Sequence, residues 1–279
     1  MVEVDNQAKQ DKELPEDYGA KTAATALRVL NLFSHVVTEW TVKDIAQALD
    51  LPYSTAYRYV STLQASGYLQ RQDRTGVYRI GLAVIELAGV ALNQLDVRVH
   101  GLAYLDHLAD VTRLNANLAV LYEADVLHVG YAVRSRVPRM YTILGRRTPA
   151  HLTALGKAML AYRPFWEVKR LIEEHGWRPR TPKSICSFPE LERELNLIRQ
   201  RGYALDDQEQ NLDTRCVGAP IRNRLGSVIG AISVSALVSD GMTEERLSEL
   251  AHAVVEHASM ISYRLGYDET QPILSGALI

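Results

Sequence analysis

The side chains in this sequence that could do chemistry fall into two groups. The first lies between Pro52 and Gln64, where Ala56, Val60 and Leu63 recur at helical spacing. The opposite face then carries Tyr53, Ser54, Thr55, Tyr57, Arg58, Ser61 and Thr62: one cation, two phenols and short hydroxyls. Such a face suits a nucleic-acid duplex. Arginine pairs bidentately with the N7 and O6 edge of guanine, and short hydroxyls reach phosphate oxygens. Lys43, just before this segment, and Arg71 and Arg74, just after it, extend the cationic character toward phosphates or a minor groove.

The second group is scattered over the rest of the chain. The segment "LGRRTPAHLTALGKAMLA" at 144–161 runs from a Gly/Arg/Pro loop into a helix beginning near Leu152 or Thr153. First-turn amides lack intrahelical partners and the helix dipole favours negative charge there, so the amides of Ala154 and Leu155 can hold a carboxylate. Gly156-Lys157 is not a phosphate-binding P-loop: His151 stands where glycine is required and Ala158 where Ser or Thr is required. Asp206 and Asp207 begin a "DDQE" segment, and Cys216 opens the next apolar stretch. Ser233 and Ser235 sit two apart among Ile229, Ala231, Ile232 and Val234, hence on one face of a strand. A buried hydroxyl without a partner costs about 1–3 kcal/mol, a cost that a bound carboxylic or hydroxy acid would remove.

Signals for catalysis and metal binding are weak. The eight histidines show no i, i+4 pair and have no cysteine beside them as a ligand set. His151 is the one to watch, since it precedes the anion-binding helix and either orients a ligand or caps that helix. In "GSVIG" at 226–230 the serine is one place too early for a hydrolase elbow. Cys216 in an apolar strand is more often inert packing than a nucleophile.

These residues need elements to carry them. The chain has 279 residues, 47% of them hydrophobic and 23% charged, enough for two globular domains without a transmembrane run. Two cysteines make neither a disulfide framework nor a four-ligand zinc site, and the polar, acidic first 19 residues do not read as a secretory signal. A cytoplasmic protein is expected. The net charge of −2 hides an asymmetry: residues 1–19 carry −4, residues 20–80 carry +3 and the other 199 carry −1. A small basic module ahead of a nearly neutral body favours an anionic partner for the module.

Residues 1–19 read as a disordered tail, and 20–81 as three short helices and a hairpin. The first helix holds Ala26, Leu27, Leu30 and Phe33; the second starts at Thr41 with Asp44 at the capping-box position; Ser54 or Thr55 caps the third, and Gly67 stops it. Strand-like 68–71 and 77–80 flank the turn Asp73-Arg74-Thr75-Gly76. This pattern is a winged helix-turn-helix. Residues 82–96 form a helix apolar on more than one face, which implies packing against its own chain and against a second copy. From 97 to 267 an α+β body is expected. Its strands are at 116–122, 126–133, 139–144, 203–208, 216–223 and 227–235, and its helices include 152–162, 166–175, 188–201 and 243–265. Residues 268–279 form a C-terminal tail.

Ala26–Phe33, "TVKDIAQALDLPYSTAYRYVSTLQASGYL" at 41–69 and "YRIGL" at 78–82 resemble the DNA-binding domain of the IclR family of bacterial transcription regulators. "LGRRTPAHLTALGKAMLA" at 144–161, "RGYALDDQEQNLDTRCVGAPI" at 201–221 and "GSVIGAISVS" at 226–235 agree with it in the family's order. The resemblance spans roughly residues 22–267. It implies a winged helix-turn-helix, a dimerising linker helix and a GAF-like α/β effector-binding domain, without a cofactor. It places Asp206, Cys216, Ser233 and Ser235 in the effector cavity, with Met140 and Ile143 as apolar wall, and ligand contacts near Ala154 and Leu155. It further implies tetramers built as pairs of dimers.

The reading is a ligand-responsive regulator of a catabolic operon. It binds an inverted-repeat operator in double-stranded DNA and senses a small carboxylate. An alternative is a small-molecule enzyme with an accessory N-terminal domain, which would need a positioned base and nucleophile or a cofactor motif. Another is a ligand-binding dimer without DNA function, which the exposed Arg58 face disfavours.

Overall fold

Apolar residues at helical spacing, capped where the sequence offers a hydroxyl, build the first part of the computed structural model, which describes residues 21–134, 143–241 and 243–268. The chain divides into two compact units between Ala91 and Leu92. The first unit holds helices α1 (Lys21–Asn31), α2 (Val42–Ala48) and α3 (Tyr53–Ala65), strands β1 (Leu69–Arg71) and β2 (Tyr78–Ile80), and most of α4 (Ala83–Asn93). Val29, Phe33, Ile45, Ala56, Val60, Leu63, Leu69 and Tyr78 form its core.

Thr41 caps α2 as its sequence suggests, its Oγ1 accepting from the Asp44 amide at 3.2 Å and donating to Asp44 Oδ2 at 2.6 Å. The start of α3 differs from expectation. Neither Ser54 nor Thr55 is its cap. Pro52 is, with no side-chain cap bond, and its carbonyl accepts the amides of Thr55 and Ala56 at 2.9 and 3.0 Å. Proline's restricted φ, −55° here, already suits entry into a helix, so the helix begins two or three residues early and Ser54 lies in its first turn. The hairpin pairs Leu69 with Ile80 and Arg71 with Tyr78, and Trp40 adds a bridge to Tyr78 on the other side.

Helix α4 starts where Ala83 N donates to Gly67 O at 3.2 Å. Ala83 and Val84 are half-buried, but none of its residues is buried, and Leu82, Ile85, Leu87 and Val90 are 56–71% exposed. Its own chain therefore covers less of this helix than its sequence suggests.

The second unit is a six-stranded antiparallel sheet, formed by β3 (Asn115–Tyr122), β4 (Asp125–Ala132), β5 (Arg147–Pro149), β6 (Ala204–Asp207), β7 (Thr214–Arg222) and β8 (Val228–Leu237) in the order β5-β4-β3-β8-β7-β6. Period-two alternation sends Leu118, Ile232 and Val234 to one face, under α5 (Asp96–Thr112) and α9 (Glu244–Arg264). Ala119 and Ala231 face the other layer, made by α6 (Ala154–Leu160), α7 (Phe165–His175) and α8 (Phe188–Arg201). The strand expected over 139–144 falls largely outside the described residues. Leu144 and Gly145 form a turn, and the edge strand is Arg147–Pro149.

Candidate functional site

On the first unit, α3 presents the face expected for a duplex. Tyr53 and Tyr57 are 60% and 53% exposed, one turn apart. Ser54 and Arg58 are exposed beside them, and Thr55 is half-buried. The Arg58 guanidinium lies 5.9 Å from the Tyr59 ring centroid. Thr62 donates to the Arg58 carbonyl at 2.9 Å, so its hydroxyl proton is engaged within the helix. Lys43, Arg71 and Arg74 are exposed on α2, β1 and the hairpin turn. Among the described residues these three and Arg58 hold no ion pair, whereas Arg79 of β2 is paired with Glu39. These four unneutralised cations are ones a phosphate backbone could use.

On the second unit, strand register assembles the polar residues that the sequence scatters. Asp206 pairs with Cys216, and Cys216 with Ser235, in one row across β6, β7 and β8. In the next row Gly218 pairs with Ser233, and Ser233 with Asn117 of β3. All point toward the α6 layer. A Cβ on Gly218 would lie 2.9 Å from the Ala154 carbonyl carbon, so the missing side chain is what lets the start of α6 rest on the sheet. Thr153 caps α6, its Oγ1 accepting from the Gly156 amide at 3.0 Å.

Between α6 and the sheet lies a cavity of about 60 Å³. Ala154, Leu155, Asp206, Cys216, Ser233 and Ser235 all line it. Ile143 is described but does not line it; its carbonyl accepts the Arg146 amide at 3.1 Å in the turn before β5. Met140 lies outside the described residues. His151 is neither a cavity residue nor the cap: it is 2% exposed, packed edge-on against Trp177 at 5.2 Å.

Sequence reasoning missed several residues of the wall, among them Asn117, His128, Thr148, Gln210 and Thr214. The signal for Asn117 was present. Asn115 and Asn117 sit two apart in the apolar strand "NANLAVLY", the same signature that singles out Ser233 and Ser235. His128 likewise interrupts the apolar strand "DVLHVGYA". Thr214, which opens β7 two residues before Cys216, carries the same signal, whereas Gln210 could not be found this way because it comes from the connection between β6 and β7.

Burial dominates the electrostatics. Asp206 is 2% exposed, and desolvation pushes its carboxyl up to about 6, opposed by Lys157 and by the Gln210 and Glu209 amides. Its Oδ1 accepts those amides at 2.8 Å (Glu209) and 3.3 Å (Gln210). Burial pushes Glu209 up to about 7 against the pull of Lys157, with which it is ion-paired. His128 is held neutral, lowered to about 4 by desolvation and then by Arg146. The Cys216 thiol, donating to Ser235 Oγ at 3.3 Å, is raised well above its usual range, first by burial and then by Asp206. Such a thiol is a poor nucleophile. Among the described residues no group of three or more His, Cys, Asp or Glu is arranged to hold a metal ion, and no helix is long and apolar enough to cross a membrane.

The arrangement is therefore a helix with an exposed polar and cationic face on one unit and a lined cavity on the other, and the chain is similar to known proteins. Residues 22–73 match the IclR helix-turn-helix domain, and residues 89–263 match the bacterial transcriptional regulator IclR C-terminal domain. The HTH-type transcriptional regulator XynR of Escherichia coli is 30% identical over 242 residues, covering 87% of this chain and 96% of that protein. KdgR of Dickeya chrysanthemi is 30% identical over 228 residues, covering 82% and 74%. Among solved structures, an IclR transcriptional regulator from Alicyclobacillus acidocaldarius superposes with a TM-score of 0.77 at 28% identity, covering 89% of this chain and 100% of that one. The IclR of Thermotoga maritima gives 0.73 at 28%, covering 88% and 99%. The chain belongs to the IclR family: it is a DNA-binding transcriptional regulator with a small-molecule effector domain, not an enzyme.

Proposed function

We propose that this regulator senses a small carboxylate metabolite in the cavity beneath α6 and binds an inverted-repeat operator as a dimer, in the cytoplasm, to control a catabolic operon. One observation carries the effector half. Six residues from α6, β6, β7 and β8 meet in one cavity, which also holds buried polar atoms without partners among the described residues. A ligand biases the protein only as far as it prefers one arrangement of the two α3 helices, typically by about 1–3 kcal/mol. The screen that tests this reading is thermal shift against small carboxylates, since a ligand that binds only the folded protein raises its melting temperature. A library without a single stabilising carboxylate would overturn it.

The variant Ser233→Ala/Asp206→Asn checks the location. Asparagine keeps the Oδ1 acceptor for the Glu209 and Gln210 amides, so the fold is retained while a hydroxyl and a carboxyl are removed from the wall. Calorimetry should show effector affinity lowered about tenfold or more, with DNA affinity near wild type. Unchanged effector affinity would move the pocket elsewhere.

The dimer half rests on α4. Leu82, Ile85, Leu87 and Val90 are exposed apolar side chains around α4, interrupted by the helix's single charge, Glu86, and a second copy of the same helix would cover them. Pairs of such dimers would make the tetramer. Ile85→Glu/Val90→Glu should convert the assembly to smaller species in sedimentation velocity. An unchanged mass would assign the dimer contact to another surface.

A further inference from the structure

The cavity beneath α6 encloses about 60 Å³, a fraction of the roughly 300–1,000 Å³ of an ordinary ligand pocket. A metabolite therefore enters only if part of the wall moves outward. Most of the wall resists that. Asn117, Cys216 and Ser233 sit on paired strands, and the start of α6 rests against Gly218. Gln210 and Asn211 instead come from the connection between β6 and β7, whose backbone is held in another way.

Side chains, not a neighbouring strand, bond this backbone. Asp206 Oδ1 takes the amides of Glu209 and Gln210, and the turn between α7 and α8 takes the carbonyls. Thr181 Oγ1 donates to Gln208 O at 2.7 Å, with Glu209 O at 3.2 Å, and Ser184 Oγ donates to Glu209 O at 2.9 Å. Lys183 Nζ adds Gln208 Oε1 at 2.6 Å and Asp207 Oδ2 at 3.3 Å. The two hydroxyls are themselves fixed. Ser184 Oγ accepts the amides of Arg180 and Thr181 at 2.9 and 3.0 Å, and Thr181 Oγ1 accepts that of Lys183 at 3.1 Å. Gln208 has a φ of 68°, in the left-handed region that a Cβ disfavours, so the connection keeps this shape only while its contacts hold it.

We propose that Thr181 and Ser184 latch the cavity wall: their hydroxyls position the β6–β7 connection, and their release is the step that admits the effector. The proposal rests on reading this cavity as the effector site and adds the residues that control access to it. Neither residue lines the cavity, so both are positioning residues that act through Gln210 and Asn211. Losing either hydroxyl weakens the closed arrangement by the net worth of its hydrogen bonds, which raises the open population about three- to tenfold.

The Cys216 thiol, in the cavity wall, reports opening without any effector. In the full-length protein carrying Cys186→Ser, iodoacetamide labels Cys216 at a rate proportional to the open population when reclosing is fast. Mass spectrometry should give a rate about three- to tenfold higher for Thr181→Val and, independently, for Ser184→Ala. Hydrogen exchange over residues 207–213 should quicken by a similar factor, while peptides from β3 and β8 keep their rates. Ile261→Val, in the layer on the opposite face of the sheet, lowers global stability and should leave Cys216 labelling unchanged. Unchanged labelling, or unchanged exchange over 207–213, in both latch variants overturns the proposal. So does equal acceleration by Ile261→Val, which makes global unfolding the route to the thiol. None of these readouts uses a ligand, so a failed carboxylate screen leaves the latch standing, and a failed latch leaves the carboxylate reading standing.

Discussion

Arg58→Ala is expected to abolish specific operator binding while leaving the protein folded. Arg58 is exposed on α3, opposite Ala56, Val60 and Leu63, and among the described residues no carboxylate neutralises it. An arginine paired to a guanine edge discriminates by about 1–3 kcal/mol. In the proposed dimer the loss counts twice, about 2–6 kcal/mol, or roughly thirtyfold to more than ten-thousand-fold in affinity. Fluorescence anisotropy on the DNA upstream of its own gene, with and without non-specific competitor, measures this. Arg74→Ala serves as the contrast, since removing a cation that neutralises a phosphate weakens binding to all sequences alike and lowers the salt slope by about one per phosphate. The melting temperature should not move, because exposed substitutions usually change stability by less than about 0.5 kcal/mol. Unchanged operator affinity for Arg58→Ala would take α3 out of the groove.

The largest effect on stability is expected at Lys157. This side chain is 1% exposed, paired with Glu209 and 3.8 Å from Glu194, which is itself held by Arg201 at 2.7 Å. Lys157→Met leaves Glu209 buried and uncompensated, and its Oε2 already has no partner among the described residues. Breaking one side of a buried pair costs about 3–5 kcal/mol, readable as a lower urea midpoint. The loss should depend on pH in a definite direction. Glu209 is raised to about 7 in the folded protein, so its protonated form is the one the fold tolerates, and losing Lys157 raises it further. A carboxyl raised above its unfolded value favours the fold in acid, and that contribution disappears as pH climbs through the folded value. The deficit of Lys157→Met should therefore be smallest in mild acid and widen above about pH 7. Lys157→Met/Glu209→Gln should recover most of it. A deficit that is flat with pH, or undiminished in the double variant, would show that lost packing rather than an orphaned charge is responsible. Wild type should show little of this slope between about pH 4.5 and 6. There the raised Asp206 and Glu209 hold extra protons while the depressed His128 and His151 lack them, and the two pairs oppose.

Much of the architecture can be read along the chain because it depends on local periodicity. Val42, Ile45, Ala46 and Leu49 mark α2 without knowledge of anything distant, and Thr41 and Asp44 mark its start. Alternation in 228–237 assigns Ser233 and Ser235 to one face whichever strand lies alongside. The start of α3 departs from the sequence reading for an equally local reason. A serine or threonine is the common cap, but the preceding proline already has a suitable φ.

The cavity is a different kind of object. The types of Asp206, Cys216, Ser233 and Ser235 are written in the sequence, and so is the apolar face of α4. What brings Asn117 opposite Ser233, and His128 and Gln210 to the same hollow, is strand pairing between segments up to about a hundred residues apart. Pairing register is settled by packing across the whole sheet, not by any one strand's residues. The protonation states follow from the same packing. Asp206 and His128 have unremarkable side chains until the fold withdraws water from them, which raises one to about 6 and lowers the other to about 4.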